Sequence, residues 1–181
     1  LQECHRLVWA FRKEIEPYWA TPDPLNSLRY AFCEAAESMD AWLRAERPLD
    51  SRNNERQNDV LDELANTAIM LLTAVEEGEP FVHFRDPNGN IYDSSNLERI
   101  AKYITECLLS AKQGANSNNK IRVCVWRIAN YPGMELKQRI QGRLARIATK
   151  HAPNGIDLEI IEKLDLWQHT KEEWVDNEPP M

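Results

Sequence analysis

Two groups of side chains in this sequence have the types and spacing to hold a cation. Glu34 and Glu37 stand three apart in "FCEAAESMDAW", with Asp40 one turn on, and Asp59, Asp62, Glu63 and Asn66 crowd into eight residues of "DVLDELANTAIMLL". Residues three and four apart share a helix face. On helices, Glu34 and Glu37 are therefore neighbours, as are Asp59, Glu63 and Asn66, with Asp62 at the edge of that group. Like charges so placed repel, and clustered carboxylates are costly unless a cation neutralises them. Hard oxygen ligands select Mg²⁺, with Mn²⁺ as a substitute and water completing the shell. Asn66 can ligate through its carbonyl oxygen but adds no charge. The plain alternative is a solvated acidic face, common on surface helices. Against it, the positions four residues after Asp59, Asp62 and Glu63 are Glu63, Asn66 and Thr67, none of them basic. The second group thus lacks local ion-pair support. A di-iron carboxylate bundle would need Glu-x-x-His on two helices, and no Glu here is followed by His three residues on.

The elements that must carry these residues read as helices throughout. Cys4, Leu7, Val8, Phe11 and Ile15 give residues 2–16 an amphipathic helical period that Pro17 ends. "TPDPLNSL" is a helix start, with Thr21 or Asp23 as the cap and Pro24 in the first turn. This second helix runs to about Glu46, with Leu25, Leu28, Phe32, Ala35, Met39, Trp42 and Leu43 as its apolar face. A third runs from about Asn54 to Glu77, with Val60, Leu64, Ala68, Leu71 and Val75 inward, ended by Gly78 and Pro80. A short connection between the two predicts antiparallel packing, which brings both acidic stripes to one seam. "FVHFRDPNGNIYD" carries a turn sequence and reads as a small β-hairpin near 81–92 or an ordered loop. Further helices are expected from Ser94, Ser95 or Asn96 to about Gln113, over 119–130, over 134–151 and over 156–175. The expected architecture is one all-α domain over 1–181, an antiparallel helical bundle. Residues 21–78 form its metal-binding helix pair, and 96–176 supply pocket wall or oligomer contacts.

Composition agrees. The 181 residues are 43% hydrophobic, with only 6 Gly, enough for a packed core without disulfides. No apolar run approaches the roughly 18 residues of a membrane helix, and the first residues lack a signal-peptide pattern. Cys4, Cys33, Cys107 and Cys124 are widely spaced, with no Cys-x-x-Cys pair. They read as reduced thiols of a cytoplasmic protein, mostly packed, and not as a zinc site. The net charge of -7 is uneven: residues 120–151 carry eight Lys/Arg against Glu135 alone, and residues 152–181 carry eight acids against Lys163 and Lys171. The simplest expectation is that the basic helix pairs with the acidic one after it. Nucleic-acid binding through Lys137, Arg139, Arg143 and Arg146 ranks last.

The two acidic motifs resemble those of the all-α nucleoside triphosphate pyrophosphatases of the MazG type. That family has ExxE, a gap of one to three dozen residues, then ExxD leading into an apolar helix. "FCEAAESMDAW" matches the first half through Glu34 and Glu37, and "DELANTAIMLL" is similar to the family's "EELADVLIYLL" through Glu63 and Asn66. The likeness covers residues 25–77, under a third of the chain. Asn66 stands where the family has aspartate, and Cys33 where some relatives have a further acid; Asp62 or Asp59 could compensate. The resemblance implies hydrolysis of (deoxy)nucleoside triphosphates to monophosphate and pyrophosphate, with Mg²⁺ held by Glu34, Glu37, Glu63 and Asn66. Glu37, or else Glu34, would take the proton of the attacking water. It also implies a homodimer or homotetramer. Arg44, Arg47, Arg52 and Arg56 lie between the acidic groups, and Arg29 one turn before them. These are candidate phosphate ligands, as is Lys120 in "NSNNKIR", which resembles a pocket-closing segment of some relatives. The competing class is a non-catalytic or weakened nucleotide-binding or adaptor module, favoured by Asn66. No base-stacking residue can be chosen among Trp9, Trp19, Tyr30 and Trp42.

Overall fold

The computed structural model describes residues 1–45, 53–81 and 96–151, together with Ile160, Lys163 and Leu164. Among these the fold is all-α: α1 (Gln2–Ile15), α2 (Pro24–Ala45), α3 (Asn53–Thr73), α4 (Asn96–Lys112), α5 (Asn118–Ala129) and α6 (Leu136–His151), with no strand. None of the described helices is long and apolar enough to cross a membrane. The expected hairpin near 81–92 lies outside the described residues from 82 onward. Of the expected last helix, Ile160 and Lys163 are helical, and the Leu164 N–H donates to the Ile160 carbonyl at 3.0 Å. Lys163 pairs with Glu14 of α1.

α3 is the axis of the bundle. It packs against α1, α2, α5 and α6, while α2 also lies on α4, α4 on α5 and α1 on α6. Leu64, Ala68, Leu71 and Leu72 of α3 are fully buried, as its helical period requires, and so is Val75 just past its end. From α1, Cys4, Val8, Phe11 and Ile15 enter the same core. Burying one such Val, Ile or Phe side chain contributes about 1.5–3 kcal/mol.

Local signals set the helix ends. Asp23 is the cap of α2: its Oδ1 accepts the Asn26 N–H at 2.9 Å, leaving Pro24 at the first helical position, where a missing N–H costs nothing. α3 stops at Thr73, four residues short of the expected Glu77. The Ala74 N–H is shared between the Met70 and Leu71 carbonyls at 3.1 and 3.2 Å, so the last turn tightens. The Val75 carbonyl is then taken by α1, accepting from His5 Nε2 at 3.1 Å and Trp9 Nε1 at 2.9 Å. Between α5 and α6, Gly133 has φ +76°, a left-handed turn that glycine makes without strain.

The contact of α2 with α3 corrects one expectation. Phe32 and Leu43, placed on the inward face by the sequence pattern, are 43% and 53% exposed. The buried side of α2 is instead a row of small residues, Ser27, Ala31, Ser38 and Ala41, with Leu28 and Ala35 beside it. Small side chains let two helices approach closely. Most of the rest of the expected apolar face is inward: Leu28 and Ala35 are buried, and Met39 and Trp42 pack against the core. All four cysteines are free; Cys4, Cys107 and Cys124 are buried and Cys33 is exposed.

Candidate cation and phosphate site

Glu34 falls within the small-residue row of α2, at the spacing 27, 31, 34, 38, 41. It therefore points into the α2–α3 seam instead of clear of it. The fully buried hydroxyls beside the two central glutamates are satisfied locally: Ser38 Oγ donates to the Glu34 carbonyl at 2.9 Å, and Thr67 Oγ1 to the Glu63 carbonyl at 2.8 Å. One carboxylate oxygen each from Glu34, Glu37 and Glu63 lies within 4.8 Å of the others. Mg²⁺ holds oxygens at about 2.1 Å in an octahedron, so its ligands stand about 3.0–4.2 Å apart. The observed spacing is close to that range, and carboxylate oxygens are the donors a hard divalent cation takes.

The electrostatics of the cluster also fit. The Glu34 carboxyl is pushed up from the ordinary 4.5 to about 7. Burial is the largest cause, followed by repulsion from Glu63; a hydrogen bond from Asn66 acts the other way, and Glu37 adds repulsion. Glu34 thus sits half-buried against two further acids, Glu63 half-buried and Glu37 exposed, a repulsion that a bound cation would relieve.

Beside the cluster opens a cleft of about 620 Å³. Its α2 and α3 walls are Glu37, Asp40, Ala41, Arg44, Asp59, Asp62 and Glu63. Its third wall is α6, with Arg143, Arg146, Ile147 and Lys150. Glu34 lies behind this surface and Glu37 on it. Arg139 donates from two guanidinium nitrogens, to Asp62 Oδ1 at 2.8 Å and to Asn58 Oδ1 at 3.0 Å. Arg143 Nε donates to Asn66 Oδ1 at 2.8 Å, and its Nη1 stands 3.8 Å from the second Asp62 oxygen. Arg146 and Lys150 have no ion-pair partner among the described residues.

The residues singled out in the sequence are distributed as follows. Glu34, Glu37 and Glu63 come together. Asn66 adjoins them, donating through Nδ2 to Glu63 Oε2 at 2.8 Å, while its oxygen faces Arg143. Asp62 lines the cleft as an ion-pair partner of α6, and Asp59 is exposed at the rim. Arg44 lines the cleft and pairs with Asp40 at 3.0 Å. Arg29 is exposed and donates to Asn26 at 2.7 Å. Lys120 is 3.5 Å from Glu106 on α4 and is not among the cleft residues. Arg47 and Arg52 lie outside the described residues, as does the side chain of Arg56.

The α6 cations are what sequence reasoning missed. Arg139, Arg143, Arg146 and Lys150 recur at steps of four, three and four, one stripe of a helix. The stripe was legible, but its partner was sought in the acidic segment that follows. Arg139 and Arg143 reach back to α3, which supplies the ion-pair support that Asp62 lacks locally; of the acidic segment 152–181, only Ile160, Lys163 and Leu164 are among the described residues.

No known protein family, no characterised protein and no solved structure matches this chain.

Proposed function

We propose that this protein is a Mg²⁺-dependent pyrophosphohydrolase of (deoxy)nucleoside triphosphates. The observation that carries the reading is the juxtaposition of Glu34, Glu37 and Glu63 with a cleft whose opposite wall is the cationic face of α6. An anionic substrate needs both: a cation on the carboxylates and positive side chains for the remaining phosphates. The motif resemblance over residues 25–77 points the same way.

Glu34, Glu37 and Glu63 would hold the ion, with Asn66 beside them. A bound Mg²⁺ supplies Lewis-acid polarisation of phosphate oxygens and a more acidic water. The chain's own groups do the rest. Arg146 and Lys150 bind the distal phosphates, and Arg44 borders them. Glu37 lines the cleft, while Glu34 sits behind it. This favours Glu37 as the group that takes the proton when water attacks the α-phosphorus. The bond from that phosphorus to the bridging oxygen breaks, and pyrophosphate leaves against the α6 cations.

Free thiols and the absence of a membrane-spanning helix among the described residues support a cytoplasmic setting. The exposed Phe32 and Leu43 on α2 support a subunit contact in a homodimer or homotetramer, which light scattering would detect. The engagement of Arg139 and Arg143 with α3 speaks against the use of this face on nucleic acid.

Pyrophosphate release from a panel of ribo- and deoxyribonucleoside triphosphates, with Mg²⁺ or Mn²⁺, tests the assignment. Turnover of at least one, abolished by chelator, is expected. Nucleotide binding without turnover of any would instead establish the second reading, a non-catalytic nucleotide-binding module. That reading is favoured by Asn66, whose only potential ligand atom is already engaged by Arg143.

A further inference from the structure

A second pocket, of about 220 Å³, lies between α4 and α5 and shares none of its described lining residues with the cleft. Among the described residues it is lined by Arg99, Lys102 and Tyr103 of α4 and by Arg127 of α5. Positions 99, 102 and 103 are three and four apart, so one face of α4 brings two cations and a phenol to the same wall. Like charges so placed repel, and an anion between them relieves the repulsion.

The α5 wall is the stronger observation. Arg127 is 2% exposed, and a buried charge is costly unless it is matched and hydrogen-bonded. Its guanidinium carbon stands 5.4 Å from the centre of the Tyr103 ring. The ring face attracts the cation but accepts no ordinary hydrogen bond from its N–H groups. Arg99 and Arg127 each have further contacts, yet a guanidinium carries five N–H donors, and in Arg127 the buried Nε–H makes no hydrogen bond. No carboxylate lines the pocket among the described residues. The acids nearest in sequence on α4 are Glu98, which is exposed, and Glu106, which stands 3.5 Å from Lys120.

Three cations and a hydroxyl around one small space select an anion with several oxygens. Each guanidinium presents a planar fork that suits phosphate oxygens, and the lysine adds a point charge. The volume is below the roughly 300–1,000 Å³ of pockets that enclose drug-sized ligands, so the pocket suits a single phosphate group and not a whole nucleotide. We propose that the α4–α5 pocket binds one phosphate group, free or at the end of a small phosphomonoester, on Arg99, Lys102, Tyr103 and Arg127. The proposal is independent of the three glutamates and of the reaction assigned to the cleft.

The test is calorimetric titration of the metal-free chain at pH 7.5 and low salt with inorganic phosphate, glycerol 3-phosphate and acetate. Wild type, Lys102→Ala, Arg127→Gln and Arg146→Ala are compared, with circular dichroism as the check on folding. Wild type is expected to take up at least one of the two phosphates with Kd of about 1 mM or below; the tighter of them identifies the source of the group. Lys102→Ala and Arg127→Gln are each expected to weaken that binding by roughly tenfold or more, as for loss of a charge-assisted contact. Arg146→Ala, which alters only the cleft, is expected to retain it. No uptake of either phosphate by the wild type would overturn the proposal. So would acetate binding as tightly as phosphate, or affinity that is lost in Arg146→Ala and kept in Lys102→Ala. Lys102 is exposed, so its variant decides the matter even if Arg127→Gln fails to fold.

Discussion

Replacement of Glu34 by glutamine should stabilise the metal-free protein at alkaline pH. The Glu34 carboxyl in the folded chain keeps its proton up to about 7, against an ordinary 4.5. The folded form thus holds a proton that the unfolded chain releases earlier. Stability contributed by the protonated carboxyl is complete below about 4.5 and declines as pH rises; above 7 the charged carboxylate is a net penalty. At about 1.4 kcal/mol per pH unit the full effect would be on the order of 3 kcal/mol. Glu34 is only half-buried, so solvent screening reduces this to about 1–2 kcal/mol. In a protein of this size that corresponds to about 2–8 °C in Tm. The assay is thermal unfolding by circular dichroism in chelator at pH 5.5 and 8.5, for wild type and Glu34→Gln. The variant should match wild type more closely at pH 5.5 and exceed it at pH 8.5. Mg²⁺ at pH 8.5 should raise the Tm of wild type and have less effect on the variant. A Glu34→Gln protein less stable than wild type at pH 8.5 in chelator would refute the reasoning, because the glutamate would then be worth more charged than neutral.

Glu37→Gln, which removes both the proton acceptor and one charged ligand of the ion, should lower pyrophosphate release by roughly 10²-fold or more even at saturating Mg²⁺, as read by a coupled pyrophosphate assay. Arg146→Ala and Lys150→Ala should each raise KM more than they lower kcat, by roughly tenfold for a charge-assisted phosphate contact of about 1.5 kcal/mol, and the effect should shrink as salt is added. Ala31→Leu, which forces a large side chain into the fully buried small-residue row, should cost about 1–3 kcal/mol and lower the Tm in denaturation scans at every pH.

Helix identity was legible because the signals are local. The period of Cys4, Val8, Phe11 and Ile15, the Asp23-Pro24 start and the "YPG" break each act within a few residues. The pairing of Glu34 and Glu37 with Glu63 was legible for the same reason, given two helices joined by a short connection. What stayed hidden depends on distant partners. Phe32 and Leu43 look like core residues by hydropathy, yet they are exposed while the small Ser27, Ala31, Ser38 and Ala41 are buried. The end of α3 is set by His5 and Trp9, which lie some seventy positions earlier and compete for the Val75 carbonyl. The α6 wall could not be assigned from charge alone, since a basic stripe has no preference between an adjacent acidic segment and an acidic helix across the bundle. The orientation of Asn66 depends in turn on that wall.

Exposure of a single thiol gives the protein an experimental handle beside its own chemistry. Cys4, Cys107 and Cys124 are shielded in the interior, whereas Cys33 faces solvent next to Glu34 in sequence. A maleimide nitroxide or fluorophore applied to the native, unmodified chain would therefore attach at one point on α2. Paramagnetic broadening or quenching of that tag by Mn²⁺ would then report occupancy of the glutamates without any engineered residue.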